Sequence, residues 1–274
     1  MLTNSQLVTS RSQGFLLGGR ILDDAQVETL RQELERVVRD QKRTDLPQPV
    51  LIRNLGKSDQ SPVWQIVNIW EASQPFRDLA FHPTITEEVA QLTQARQLRV
   101  WHDQIQHKPA AIGGVNMWHQ DSPYWRILAP KTSQMTAWIA LDDADESNGC
   151  MSMVPGSHLW GTQIDFLHSL KNFDEMPPRL GEHELRAKLC PVPKGHVHYH
   201  HSLAWHGSNA NTSGRPRRAI AIHYMTDETC YVATGEHPMK QFVQVADGKM
   251  LEGEHFPLVW ERKPTAKTMT AAVV

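Results

Sequence analysis

The side-chain alternation over residues 135–142 constrains this chain most. Met135, Ala137, Ile139 and Leu141 interleave with Thr136, Trp138, Ala140 and Asp142, and a period of two puts each set on its own face of a β-strand. Short runs of this kind recur from about Leu98 onward, separated by turn clusters at 145–149 and 155–157. Residues 197–205 and 219–224 suggest another strand pair, joined by the polar stretch 208–216. Two helices precede the strands. After Asp23 and Asp24, either of them a plausible N-cap, Val27, Leu30, Leu34 and Val37 recur at helical spacing. The second helix starts at Thr84, where Thr84-x-x-Glu87 reads as a capping box and Ile85, Val89, Leu92 and Ala95 form one apolar face. Helices followed by many short strands predict a mainly β fold, a sandwich or barrel buttressed by N-terminal helices. The expected division is one domain over 1–262, helical over about 23–98 and a barrel over about 98–262. Residues 263–274 read as a flexible tail, and the polar stretch 172–188, with Pro177, Pro178 and Gly181, as a lid over a site.

Composition narrows the function classes. The 274 residues carry a net charge of -2, which argues against binding nucleic acid or an anionic membrane. No apolar run approaches the ~18 residues of a membrane span. The N-terminus has no cleavage site after a basic region, so a cytoplasmic location is expected. Cys150, Cys190 and Cys230 are widely spaced with no CxxC pair, and read as small buried hydrophobes rather than disulfide or zinc partners. The unusual counts are 15 histidines and 9 tryptophans, so spacing has to decide what they do.

His119-Gln-Asp121 is the informative spacing. On a strand, positions i and i+2 share a face, so the imidazole and the carboxylate converge while Gln120 points away. A third ligand from a distant strand completes two imidazoles and one carboxylate on one face of a metal, the triad of non-haem iron(II) oxygenases. His206 is followed by Arg217, and a turn between antiparallel strands brings that guanidinium, a fixed fork of donors suited to a carboxylate, beside a metal on His206. His196, His198 and His200 also alternate and form a rival zinc site. Ligands spaced about 6–7 Å apart along one strand converge poorly, which favours packed, hydrogen-bonded imidazoles there. His158 and His201 read as structural, and His102, near Gln104 on a predicted strand, as either core or pocket wall. Trp64, Trp70, Trp101, Trp118, Trp125 and Trp205 read mainly as core. Tyr124 and Trp125 follow the metal motif closely enough to wall a substrate cavity, where Arg126 would meet an anionic substrate group.

Together with Gly14-Phe-Leu-Leu upstream, the motifs His119-Gln-Asp121, Asn148-Gly-Cys-Met-Ser-Met-Val-Pro-Gly-Ser-His158 and His206-Gly-Ser with Arg217 resemble the phytanoyl-CoA dioxygenase (PhyH) family. The likeness runs to about Tyr224. It implies a double-stranded β-helix (jelly-roll) core, Fe(II) and 2-oxoglutarate. Carried over position by position, it implies His119, Asp121 and His206 as metal ligands and Arg217 as the partner of the distal carboxylate, assisted by Ser208. Trp138 and Gln104 would line the co-substrate pocket. One departure is Gly195-His196, where the family has Gly-Asp; it lies outside the triad. The implied reaction is hydroxylation of an unactivated C–H bond in a small molecule, with 2-oxoglutarate and O2 converted to succinate and CO2. Asp121 favours hydroxylation over halogenation, because related halogenases carry a small residue there. Two other readings compete: a non-catalytic small-molecule-binding barrel, and a zinc enzyme built on His196, His198 and His200.

Overall fold

The computed structural model of the chain describes residues 1–55, 60 and 62–263, so residues 264–274 of the expected tail lie outside the described residues. The first predicted helix is α2 (Asp24–Arg39). Asp23 accepts from the Gln26 backbone at 2.8 Å while the Gln26 side chain returns to the Asp23 N–H, and Val27, Leu30, Leu34 and Val37 are buried. The second is α5 (Pro83–Thr93), which differs from expectation at its start. His82 is its N-cap without a side-chain cap, and Thr84 already lies inside the helix. Pro83 has its φ preset for the first helical position and no N–H to satisfy, so the N-cap lies two residues earlier than the capping box implied. An unforeseen helix, α1 (Asn4–Gln13), is capped reciprocally by Thr3 and Gln6 and buries only Ser10, so it has no apolar stripe to betray it. Short helices α3 (Ile69–Ala72), α4 (Gln74–Ala80) and α6 (Ile164–Ser169) complete the set.

Two antiparallel sheets form the body. The larger runs β1 (Phe15–Arg20), β12 (His196–His201), β7 (Gln134–Ala140), β14 (Arg217–Thr226), β4 (Gln97–Lys108), β3 (Trp64–Val67) and β2 (Leu51–Asn54), with β16 (Leu258–Glu261) also on β4. The smaller runs β11 (Lys188–Cys190), β8 (Met151–Met153), β13 (His206–Ser208) and β5 (Asn116–His119). Two minor ladders join β6 (Leu128–Ala129) to β15 (Cys230–Tyr231) and β9 (Arg179–Leu180) to β10 (His183–Glu184). The predicted alternation is realised face by face. Met135, Ala137, Ile139, Val197, Tyr199, Ile220 and Ile222 pack with Leu30, Leu34, Ile85 and Val89 of the helices. Their alternates Trp138, Ala140, Ala219 and Ala221 meet Met151, Met153 and Cys190 of the small sheet, so the two sheets bury a second core between them.

Three expectations change. The part over about 23–98 is not purely helical, because β2 and β3 enter the large sheet, as does β1 ahead of it. Residues 197–205 and 219–224 do not pair with each other. The chain crosses between sheets after His201, leaving β12 in the large sheet and β13 in the small one, and β7 separates β12 from β14. The stretch 172–188 covers the back of the small sheet. Phe173 stacks on Trp118 at 4.8 Å, accepts from its indole N–H at 2.8 Å and, with Leu180 and Leu185, joins the cluster around Trp118, Val154 and Trp205. Its proline-broken polarity concealed these apolar anchors.

Of the cysteines, Cys150 and Cys190 are buried and Cys230 partly so, all with free thiols. The named tryptophans fill cores except Trp64, which is exposed. Among the described residues no helix is long and apolar enough to cross a membrane.

Candidate metal and co-substrate site

The register of the small sheet assembles the triad. His206 on β13 is the direct cross-strand partner of His119 on β5 and of Met153 on β8, and the imidazole centroids lie 4.1 Å apart. Asp121 follows β5 at the turn, where its backbone N–H donates to the Ser202 carbonyl at 2.9 Å. Its Oδ1 lies 3.8 Å from His119 Nε2 and 3.6 Å from His206 Nε2. Ligand atoms of these three residues lie within 4.8 Å of one another, and among the described residues they alone gather as a metal-ligating set. The tautomers suit the task. His119 Nδ1 lies 2.8 Å from the Met117 carbonyl and His206 Nδ1 3.0 Å from that of Ala204. Each Nδ1 must donate to its carbonyl, which leaves both Nε2 lone pairs free for a cation.

The electrostatics agree. Burial, with His206 beside it, lowers His119 to about 4, and burial lowers His206 as well, so both rings offer neutral nitrogen at ordinary pH. Burial works against the Asp121 charge, yet the imidazoles of His206, His200 and His223 around it hold its carboxyl well below the usual range. Its second oxygen, Oδ2, accepts from Thr136 at 3.2 Å and lies 3.4 Å from His200 Nε2. Thr136 in turn contacts His223 Nδ1 at 2.7 Å. Burial lowers His223 to about 3 and takes His102 well below its ordinary value.

Arg217 opens β14 on the face that looks between the sheets, 5.6 Å over the Trp138 ring. Its guanidinium is fully buried, and Nε, Nη1 and Nη2 all lack hydrogen-bond partners. Burial lowers it to about 10, not enough to discharge it. An unpaired buried cation is costly, and a carboxylate docking bidentately on the fork resolves it. Beside it, buried Lys108 donates to the carbonyls of Ser208, at 3.0 Å, and Asn209; burial pushes this amine down to about 6. From Arg217 the inward positions of β14 are Ala219 and Ala221, and Ala221 joins Gln104, Trp138, His206 and Ser208 in lining a small cavity beside Asp121. The donor set and the orphaned guanidinium thus fit a divalent metal with a dicarboxylate co-substrate.

The structure brings together His119, Asp121, His206, Ser208, Trp138 and Gln104, with Arg217 over Trp138; Gln104 is held by the Gln65 side-chain amide. His196, His198 and His200 do not gather on an ion of their own: His198 stacks on Phe15 at 5.8 Å, 6.0 Å from the His200 ring. His158 and His201 pair at 5.3 Å, and His158 lies against Gly14 and the Arg11 carbonyl, as structural histidines do. Tyr124 is half-exposed 6.3 Å from the His119 ring, its hydroxyl on His168 at 2.6 Å. Trp125 is buried against His223 at 4.9 Å, and His102 lies 4.6 Å from the same ring. Arg126 is exposed. Thr136, His223 and Lys108 escaped the sequence reading. Their signal was present, since His223 is in phase with Arg217 on β14 and Lys108 with Gln104 on β4, but phase counts only once the strand's extent is known.

Known proteins share this architecture. The 2-oxoglutarate-dependent carbocyclase SnoK from nogalamycin biosynthesis superposes with a TM-score of 0.77 at 28% identity, over 94% of this chain and 97% of that one. The epimerase SnoN, solved with Fe3+, 2-oxoglutarate and nogalamycin RO, superposes with a TM-score of 0.70 at 21% identity over 93% and 98% of the two chains, a likeness of fold. Fold and site together make this an enzyme of the 2-oxoglutarate-dependent oxygenase class. Peroxisomal phytanoyl-CoA dioxygenase of Mus musculus is 26% identical over 91% of this chain and 77% of its own length. Residues 10–219 match the phytanoyl-CoA dioxygenase (PhyH) family, and the chain belongs to it.

Proposed function

We propose that the chain is an Fe(II)/2-oxoglutarate-dependent dioxygenase with a jelly-roll core that hydroxylates an unactivated C–H bond of a small molecule. The observation that carries this reading is Arg217, buried with every guanidinium nitrogen unpaired and seated over Trp138, itself a wall of the cavity that holds Asp121 and His206. Iron with 2-oxoglutarate and O2 supplies the oxidising power, one oxygen atom going to the substrate as hydroxyl and the other to succinate, with CO2 released. The protein's own part is binding, orientation and exclusion of water. His119 and His206 present neutral Nε2 and Asp121 an ionised Oδ1. Arg217 fixes the distal carboxylate of the co-substrate, assisted by Ser208, and Trp138, beneath the guanidinium, walls the cavity beside Asp121. The buried position of these groups keeps their hydrogen bonds in a low-dielectric setting, where they are strongest.

Iron-loaded protein is expected to convert 2-oxoglutarate to succinate in the presence of O2. In Arg217→Met the KM for 2-oxoglutarate should rise about 100-fold, as expected from the loss of charge-assisted hydrogen bonds, and His119→Ala should abolish both turnover and stoichiometric metal retention. Protein that retains iron yet neither binds nor consumes 2-oxoglutarate would sink the proposal in favour of a binding barrel.

A further inference from the structure

At the end of the strands remote from Arg217, two buried imidazole nitrogens have no partner: Nε2 of His102 and Nε2 of His223. The residues sit directly opposite each other on β4 and β14, with ring centroids 4.6 Å apart. The hydrogen bonds on their other nitrogens decide what these atoms offer. Thr136 has one hydroxyl proton and, 3.2 Å from Asp121 Oδ2, gives it to the carboxylate, which has none to return. With the hydroxyl proton on that carboxylate, the 2.7 Å contact of Thr136 Oγ1 with His223 Nδ1 is made by an Nδ1–H donor. An imidazole carrying its proton there has a lone pair on Nε2. His102 obeys the same rule, since its Nδ1 faces the Asp103 carbonyl at 3.3 Å and must donate to it. Two adjacent buried acceptors therefore lack donors, a state folded proteins rarely leave uncorrected.

We propose that His102 Nε2 and His223 Nε2 bind the substrate of this enzyme, and that the substrate meets them with a pair of neighbouring hydroxyl groups. The inference rests on the oxygenase reading for its direction: a co-substrate held by Arg217 approaches Asp121 from one side, and His223, six residues along β14, lies on the other. His223 lines the same cavity as Asp121 and His206, which places a C–H bond next to those hydroxyls within reach of the metal ligands. Trp125 stands edge-on to both imidazoles, at 5.7 Å and 4.9 Å, an apolar wall for the carbon skeleton. Of the pair, His102 lies within the family-matched span of residues 10–219 and His223 four residues beyond its end. An unadorned acyl chain brings no donors and leaves both acceptors empty.

Binding of cyclohexane-1,2-diol, myo-inositol and methyl glucopyranoside, each against its permethylated form, tests this in iron-loaded protein with 2-oxoglutarate under anaerobic conditions, read by ligand-observed NMR. At least one hydroxylated probe is expected to bind ten-fold or more tightly than its methylated form. His102→Leu, or His102→Phe where the first does not fold, should erase that preference, whereas His102→Gln, which keeps a carbonyl acceptor, should retain part of it. If no hydroxylated probe outbinds its methylated form, or if the preference survives His102→Leu, the proposal is overturned. Titration of 2-oxoglutarate into iron-loaded wild-type protein and into each His102 variant, without probe, is expected to give the same affinity in all and separates this failure from failure of the oxygenase reading.

Discussion

Asp121 is the residue on which the site turns, because its two oxygens have different duties. Oδ1 faces His119 and His206, while Oδ2 is held by Thr136 and approached by His200. A carboxylate so held cannot rotate its ligand oxygen away, the usual contribution of groups behind a metal ligand. Thr136→Val keeps the shape and β-branching of the side chain but removes the donor. It is expected to lower Fe(II) affinity by about 10- to 100-fold with little loss of fold, measurable by competition with a chelator. Unchanged affinity would mean that His200 alone orients the carboxylate.

Two elements position these residues. The β13 strand carries His206 and Ser208 around Gly207, where an added Cβ would lie 2.9 Å from both the Asn116 carbonyl and the Phe173 ring. Asn116 is backbone of the neighbouring strand and cannot yield, so Gly207→Val should push β13 away from β5 and separate His206 from His119. Metal retention is expected to fall together with thermal stability; a variant that binds metal normally would show that β13 and β5 accommodate the added side chain without separating His206 from His119. On the opposite face of the molecule, α2 buries Leu34 against the large sheet. Leu34→Ala should cost about 2–5 kcal/mol in denaturant unfolding, with the turnover of the folded fraction preserved, since this core lies on the far side of the sheet from the triad.

For the molecule as a whole, acid is the informative perturbation. Burial lowers His107, His201 and His237 to about 4 each, whereas an unfolded chain protonates them near 6.5. Between these values the unfolded state binds more protons, so stability is fully present above about pH 6.5 and is lost as pH falls toward 4. The melting temperature of metal-free protein should decline over that window. A flat profile from pH 7 to 4.5 would show that these rings take up protons in the fold. Iron should raise the whole curve over this window and carry the decline further into acid, because His119 and His206 ligate only as neutral rings.

Local pattern by itself determined a good part of this protein. The period-two run at 135–142 specified which residues of β7 face the helices and which face the site, and the period of 3.6 after Asp23 specified α2 and its buried stripe. His119-x-Asp121 was legible as a spacing, but the strand rule behind it did not decide the geometry: β5 ends at His119, and Asp121 reaches the site from the helical turn that follows. Order of motifs along the chain, by resemblance, extended this to His206 and Arg217. Pairing was not legible: the crossing after His201, the seating of β7 between β12 and β14, and the packing of 172–188 on the back of the small sheet all depend on contacts between distant segments. The same holds for the second half of the site. Thr136, His102 and His223 lie on three separate strands and acquire a joint meaning only through register, which brings them opposite one another. Side-chain periodicity is a property of one strand and can be read from it; which strand lies beside it is decided by the tertiary fold.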